Sequence, residues 1–543
     1  MASSKEGDFE PFPVKEQFPG VDYCIRSPPP WPEALLLGFQ HYIVMLGTTV
    51  FIPTILVHKM GGGDEEKARM IQTLLFVSGI NTLLQVFFGT RLPVIVGGSH
   101  TFVLPTISII LCGRYSYIIN PHERFIITMR GIQGALIIAS FLQMLLGFFG
   151  IWRIAIRFLS PLAAVPLVSL VGLGLYFLGF PGVIKPNTYS SSSTMHLVAR
   201  CIEVGLPELI LLVILSQFIP HVSSQRFSLT RFSVLISIAI IWVYAEILTV
   251  AGAYKNRSHN TQYRCRADRS GLIGASPWIR VPYPFQWGHP MFEASDIFVM
   301  MAASLVALIE STATFKAVQR YSGATPVPPS IISRGAGWLG VSLLLDGMFG
   351  TANGSTASVE NAGLLAMNRI GSRRVIKISA GFMIFFSIMG KFGALFASIP
   401  MPIFAAIYCI LFAYTASAGL GFLQFCNINS YRTKFILGFS FFMGLSIPQY
   451  FREYDSLTRH GPVHTRARWF NDIINVIFSS SATVGVFVAF FLDTTISHGI
   501  DKDVRRRDRG WHWWEKFRHY PTDSRSEEFY SLPYNLNKFF PST

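Results

Sequence analysis

Apolar runs long enough to cross a bilayer recur from one end of the chain to the other. A spanning helix needs about 20 predominantly apolar residues, allowing for tilt. Such runs lie at 33–57, 69–90, 93–112, 130–151, 158–180, 206–221, 232–252, 295–315, 332–350, 353–370, 376–398, 401–420, 433–450 and 472–495. That makes fourteen, several of them short or interrupted, and predicts an all-α polytopic membrane protein. The opening segment 1–32 is polar and Pro-rich, and the first apolar run is too long for a signal h-region, so no signal peptide is expected.

Two of the runs break the apolar pattern in the same way. The third contains Val96-Gly97-Gly98-Ser99-His100-Thr101-Phe102, and the tenth contains Asn353-Gly354-Ser355-Thr356-Ala357-Ser358-Val359-Glu360-Asn361. Gly, Ser and Thr stand where a lipid-facing helix would carry Leu and Ile. If each half of the chain has seven spans, these are the third span of each half. Paired discontinuous helices at matching positions point to a midplane transport site in a 7+7 inverted repeat. Small residues also serve close helix packing, but the matched placement favours unwound backbone lining a cavity. The stretches 96–102 and 353–360 are therefore expected to be non-helical and to face each other.

Ionisable residues inside these spans sharpen the picture. Glu310 lies in the eighth span and Glu360 in the broken tenth. A carboxylate at the bilayer centre costs about 2.5–3.5 kcal/mol on insertion scales, so such residues mark function by default. Desolvation and mutual repulsion favour the neutral form of a carboxyl, so the pair is suited to carrying a proton. Gln40 and His41 sit side by side in the first span and point to different faces, which turns at least one of them inward. Glu246 and Asp346, near span ends, are read as structural groups reaching the interface.

Composition agrees and removes alternatives. Hydrophobic residues make up 51% and charged residues 14% of the 543, against about 25% charged in a soluble domain. The formal net charge of +15 is carried by loops and tail, where Lys and Arg fix orientation and meet anionic headgroups. Nucleic-acid binding is not expected. Lys502, Arg505, Arg506, Arg507 and Arg509 follow the last span and argue for a cytoplasmic C-terminus, and an even span count puts the N-terminus on the same side. The long segment 253–294 then lies outside, with the sequon Asn256-Arg257-Ser258 as a glycosylation candidate. Of six cysteines, only Cys201 and Cys265 lie in loops able to share one face; their spacing alone does not establish a disulfide.

The segment Glu360-Asn361-Ala362-Gly363-Leu364-Leu365-Ala366-Met367-Asn368-Arg369 resembles the signature motif of the nucleobase–ascorbate transporters. The adjacent Gln40-His41 resembles that family's second marker. Pro284-Phe285-Gln286-Trp287-Gly288, Gly461-Pro462-Val463-His464-Thr465 and Glu527-Glu528-Phe529-Tyr530-Ser531-Leu532-Pro533 resemble its plant branch. The resemblance extends over nearly the whole chain from about residue 10. It implies a core domain of spans 1–4 (33–151) and 8–11 (295–398), and a gate domain of spans 5–7 (152–252) and 12–14 (399–495). The segment 253–294 would be external, and the tails 1–32 and 496–543 cytoplasmic. It further implies elevator-like transport, a homodimer and a plasma-membrane location. By position it assigns substrate contact to Ser99, His100, Glu310, Val359 and Glu360; Phe102 joins them as a ring able to stack on a substrate, and Glu310 is expected to carry the coupling proton. Gln40, His41, Thr314, Asn361, Gly363 and Arg369 would form the supporting network. Asn368 stands where the motif has Thr, His100 where an aromatic residue is usual, and Ala313 where the plant branch has Gly.

Two glutamates and an imidazole suit a flat neutral ring. Carboxylates accept N–H bonds from a base edge, and the ring of His100 or Phe102 is able to stack on its face. The expected function is proton-coupled uptake of uracil or purine bases, with no cofactor and no metal; sodium remains an alternative coupling ion. An ascorbate or other organic-anion carrier of the same fold is the alternative. An anion exchanger would want a cation at the midplane, and neither broken stretch has Lys or Arg. A membrane-embedded enzyme would need a motif such as HExxH, which is missing.

Overall fold

The computed structural model describes residues 20–179, 201–222, 230–268 and 271–496, apart from 26, 116, 257–261, 263–264 and 459–460, together with 506, 508–511, 529–533 and 536–537 of the tail. The N-terminal residues 1–19, sequon residue Ser258, and the tail residues Lys502, Arg505, Arg507, Glu527 and Glu528 lie outside the described residues.

The first half runs α1 (Trp31–Met60), α2 (Asp64–Phe87), strand β1 (Val96–Gly98), α3 (Val103–Ile110), α4 (Pro121–Phe148), the short α5 (Ile151–Arg157), α6 (Pro161–Leu173), α7 (Ile202–Val213) and α8 (Ser233–Val250). The second half repeats the order with α9 (Ala294–Tyr321), α10 (Pro329–Phe349), strand β2 (Ser355–Ala357), α11 (Val359–Asn368), α12 (Arg373–Ile388), the short α13 (Gly390–Ala397), α14 (Met401–Leu420), α15 (Tyr431–Thr458), α16 (Arg468–Ser479) and α17 (Ser481–Thr495). All fourteen predicted runs coincide with helical or broken-helical chain. Among the described residues seven helices are individually long and apolar enough to cross a membrane, or nine if each bent pair is one span. The bends are 110° between α12 and α13 and 82° between α16 and α17. At the second bend Ser480 leaves the helix and caps α17.

The two halves meet at their interrupted spans. β1 and β2 pair antiparallel, with Val96 opposite Ala357, Gly97 opposite Thr356 and Gly98 opposite Ser355. Unwound backbone inside a membrane protein must find partners within the protein, and here it does. Ser99 N–H donates to the Gly354 carbonyl at 3.1 Å and Ser358 N–H to the Ile95 carbonyl at 2.9 Å. Val96 N–H reaches the Thr82 hydroxyl at 3.0 Å, and Ala357 N–H the Ser311 hydroxyl at 3.2 Å. The non-helical stretches are shorter than expected: His100–Phe102 already forms a 3-10 turn and α11 begins at Val359. Ser99 and Ser358, each accepting an N–H with its side chain, start those turns early. The N-terminal ends of the 3-10 turn and α11 thus converge beside the strand pair, where their dipoles favour negative charge.

Helix packing forms two bundles. In one, α4 packs on α9 and α10, and α12 on α1 and α2; in the other, α6 packs on α14 and α17, α7 on α8 and α14, and α15 on α17. They touch chiefly where α11 meets α14 and where α9 meets α6 and α16. The first contact is close because Gly363 has no side chain: a Cβ there would lie 2.1 Å from the Leu411 carbonyl oxygen.

The segment between α8 and α9 is bonded across the first bundle. Phe285 N–H donates to the Met348 carbonyl, the Trp287 indole to the Gly350 carbonyl, Met291 N–H to the Arg130 carbonyl, and the Arg280 guanidinium to the Arg69 carbonyl. This cover changes the reading of Asp346. It is 0% exposed, so it does not reach the interface, because Phe285 and Trp287 seal that end of α10. Glu246 is exposed as expected. The same segment is tied to α7 by a disulfide between Cys201 and Cys265, a pairing that spacing alone left open. Thiol titration of the denatured protein should therefore count four cysteines before reduction and six after. Six in both conditions would remove the bridge.

Candidate functional site

The site is built where the strand pair, α1, α9 and α11 of the first bundle face α14 and the α16–α17 bend of the second. Glu310 sits on α9. One carboxylate oxygen accepts the Thr101 hydroxyl from the 3-10 turn, and the other accepts the Ser480 hydroxyl at 2.7 Å. Thr314, one turn later, donates back to the Glu310 carbonyl at 3.1 Å, so it braces the helix rather than the carboxylate.

Glu360 lies in the first turn of α11 and is 5% exposed. It accepts the Thr48 hydroxyl from α1 and the Ser358 hydroxyl at 2.9 Å. Thr48 in turn lies 3.2 Å from the Tyr408 hydroxyl of α14. Gly47 makes that approach possible, since a Cβ there would stand 2.1 Å from the same oxygen. Among the described residues neither carboxylate ion-pairs with Lys or Arg, and no cluster of His, Cys, Asp and Glu suits a metal. Each carboxylate is held by hydroxyl groups alone. A hydroxyl rotates to donate or accept as required, so either protonation state is accommodated without moving the backbone.

A second layer fixes α11. His41 Nδ1 lies 2.9 Å from the Asn361 side-chain oxygen, and the Asn361 amide donates to the Ser358 hydroxyl at 2.9 Å. Ser358 therefore caps α11 through Asn361 N–H while donating to Glu360. His41 and Asn361 thus orient the group that orients Glu360. Val359 gives its carbonyl to the Thr415 hydroxyl of α14 at 2.9 Å.

The remaining residues singled out from sequence divide in two. Ser99 caps the 3-10 turn through Thr101 N–H and bonds the Thr101 hydroxyl at 3.1 Å. His100 lies edge-on to Phe51 with ring centroids 5.5 Å apart, and its Nε2 is buried without a hydrogen-bond partner. Gln40 is 0% exposed, and its amide likewise has no partner. Phe102 is 0% exposed and its ring fills the space left by Gly354, which makes it a wall of the core instead of an open stacking face. Arg369 lies away from the site. It caps the far end of α11 with φ 58°, its side chain is exposed, and its carbonyl accepts Asp22 N–H at 2.9 Å. Asn368, where the motif has Thr, is 3% exposed with no hydrogen bond to its amide, and nothing in the structure explains it. Asn256 is exposed on the segment after α8.

Thr48, Thr101, Tyr408 and Ser480 went unremarked in sequence. Thr48 was detectable, because it follows His41 by seven residues and so shares its face of α1. Ser480 stands in a run of three serines within an apolar span, which is a break signal. Tyr408 has no such signal.

The Permease family profile matches residues 32–453. Nucleobase-ascorbate transporter 7 of Arabidopsis thaliana is 63% identical over 540 residues, covering 99% of this chain and 97% of its own. Nucleobase-ascorbate transporter LPE1 of Zea mays is 60% identical over 543 residues, covering 100% of both. Among solved structures, the murine Solute Carrier 26 family member A9 anion transporter in the inward-facing state shares 11% identity over 79% of this chain and 66% of that one, with a TM-score of 0.46. The transmembrane domain of a cyanobacterium bicarbonate transporter, BicA, shares 13% over 82% and 97%, with a TM-score of 0.42. The chain belongs to the permease family, within the plant nucleobase–ascorbate transporters, and it is a membrane transporter and not an enzyme.

Proposed function

We propose that the protein takes up nucleobases, uracil or purines, by proton-coupled symport, and that a core domain slides elevator-like against a gate domain. The observation that carries this reading is the pair of carboxylates held only by hydroxyls beside the converging broken helices. Such groups accept N–H bonds from a neutral ring. They would repel an anion such as ascorbate, which is the second reading because the relatives' names join the two substrates. In this proposal the core comprises 33–151 and 295–398, and the gate 152–252 and 399–495. Glu310 and Glu360 belong to the core, Tyr408 and Ser480 to the gate. Both termini face the cytoplasm, the protein resides in the plasma membrane, and it works as a homodimer without cofactor or metal. Uptake of labelled uracil, guanine, xanthine and ascorbate by a transporter-deficient cell tests the substrate. Saturable ascorbate uptake without any base uptake would reverse the assignment.

Position 360 should set which ring edge is accepted. A carboxylate only accepts hydrogen bonds, whereas a glutamine also donates. Glu360→Gln should shift relative uptake toward oxidised purines rich in carbonyl groups, by about tenfold, the worth of one net hydrogen bond of roughly 1.4 kcal/mol. Surface protein should stay level, because the two side chains share a shape. Competition assays with surface expression measured in parallel check this; an unchanged ranking would take Glu360 out of the binding site.

A further inference from the structure

Beyond the substrate site, one cluster of charges joins the two bundles. It lies on the face that carries the segment between α8 and α9, away from the C-terminal end of α17. Asp296, in the first turn of α9, is 0% exposed and central. From its own bundle, Arg114 meets one carboxylate oxygen at 3.0 Å and also pairs with Glu293 at 3.3 Å. From the other bundle, Arg468 at the start of α16 approaches the second oxygen at 3.7 Å. The same guanidinium donates to the Ser108 carbonyl of α3 at 3.1 Å and pairs with Asp472, one turn along α16, at 3.3 Å. Next to it, Trp469 lies 6.1 Å from the Phe298 ring of α9.

We propose that Arg468 is a positioning residue of the transport cycle: a latch that holds core to gate on this face and must release for the site to open there. The proposal rests on the reading that the two bundles move against each other. Arg468 suits a latch because its planar fork serves three acceptors at once, two on one bundle and one on its own. It is about one-third exposed, at 34% of its side chain, so release returns the guanidinium to water at modest cost. Asp296 stays compensated by Arg114 when Arg468 leaves, so no uncompensated buried charge is created. The arrangement is therefore built to break on one side only.

The latch covers what lies beneath it on α16. Val476 follows Arg468 and Asp472 at steps of four and so shares their face, two turns deeper, and it is 8% exposed. A Val476→Cys reporter, with the four cysteines outside the disulfide replaced by Ser, reads opening through its reaction with a membrane-impermeant thiol reagent. Adding Arg468→Gln should raise the labelling rate about tenfold, the population shift expected when one state loses a coupling of that size. Arg468→Lys, which keeps the charge and loses the fork, should fall between. Arg114→Gln removes the charge that stays with Asp296 on release, so it should lower the rate and in no case raise it. Surface protein is quantified for every variant. Labelling needs no substrate, so a protein that carried no nucleobase would still answer. An unchanged rate in Arg468→Gln, or an equal rise in Arg114→Gln, would overturn the latch and leave the cluster a general brace.

Discussion

Glu310→Gln should abolish concentrative uptake, because an amide neither takes up nor releases a proton. The protein should still reach the membrane in normal amount. Gln has almost the same shape as Glu, and the Thr101 and Ser480 hydroxyls that now donate to the carboxylate are able to accept from an amide instead. What disappears is the charge and the exchangeable proton. Uptake by the unmodified protein should rise as pH falls on the side of entry, because a carboxyl that loads with a proton is fuller there. The residual flux of Glu310→Gln should be flat with pH. Thr101→Ala and Ser480→Ala should weaken uptake by about tenfold each, one hydrogen bond apiece. Labelled uptake over a pH series, with sodium replaced by choline, decides the matter. Transport that follows sodium and ignores pH would remove the proton from the mechanism.

The architecture was legible because the membrane demands it. Runs of apolar residues have few other uses, and Gly-Gly-Ser in one half against Gly-Ser-Thr in the other marks the two non-helical stretches, though not their pairing as strands. Their exact length was not legible, since it depends on Ser99 and Ser358 capping helices at once. Glu310, Glu360, His41 and Asn361 stood out because an ionisable or amide group within a span needs a reason. Their partners stood out less. Thr48 had only its place on the His41 face of α1 and Ser480 only its serine run; neither signal names a carboxylate 312 or 170 residues away. Asp346 was misplaced for a related reason. Distance from a span end measures depth only when nothing covers that end, and here the chain around Trp287 does. Arg369 shows the converse: its place in a motif suggested the site, yet its φ of 58° makes it a helix stop whose backbone matters.

Gly363→Ala should be nearly as damaging as loss of Glu310, although it removes no chemistry. The methyl would lie 2.1 Å from the Leu411 carbonyl oxygen and 2.6 Å from its carbon. Both are backbone atoms of α14, so no side chain can swing aside, and the two helices must separate by about an ångström to restore van der Waals distance. Overpacking of this kind costs about 1–3 kcal/mol. Here it also acts on geometry, because α11 carries Glu360 and α14 carries Tyr408 and Thr415, which reach the Glu360 cluster and the Val359 carbonyl. Pushing α14 away therefore loosens the second bundle's side of the site while the first bundle's side stays intact. Uptake should fall by more than about tenfold, as expected when site groups are displaced by an ångström. Surface protein should fall less than uptake does. Leu411→Gly leaves the backbone in place and should not rescue. Wild-type uptake by Gly363→Ala would mean that α11 and α14 separate in the working transporter, and that the close approach at Gly363 is not required for transport.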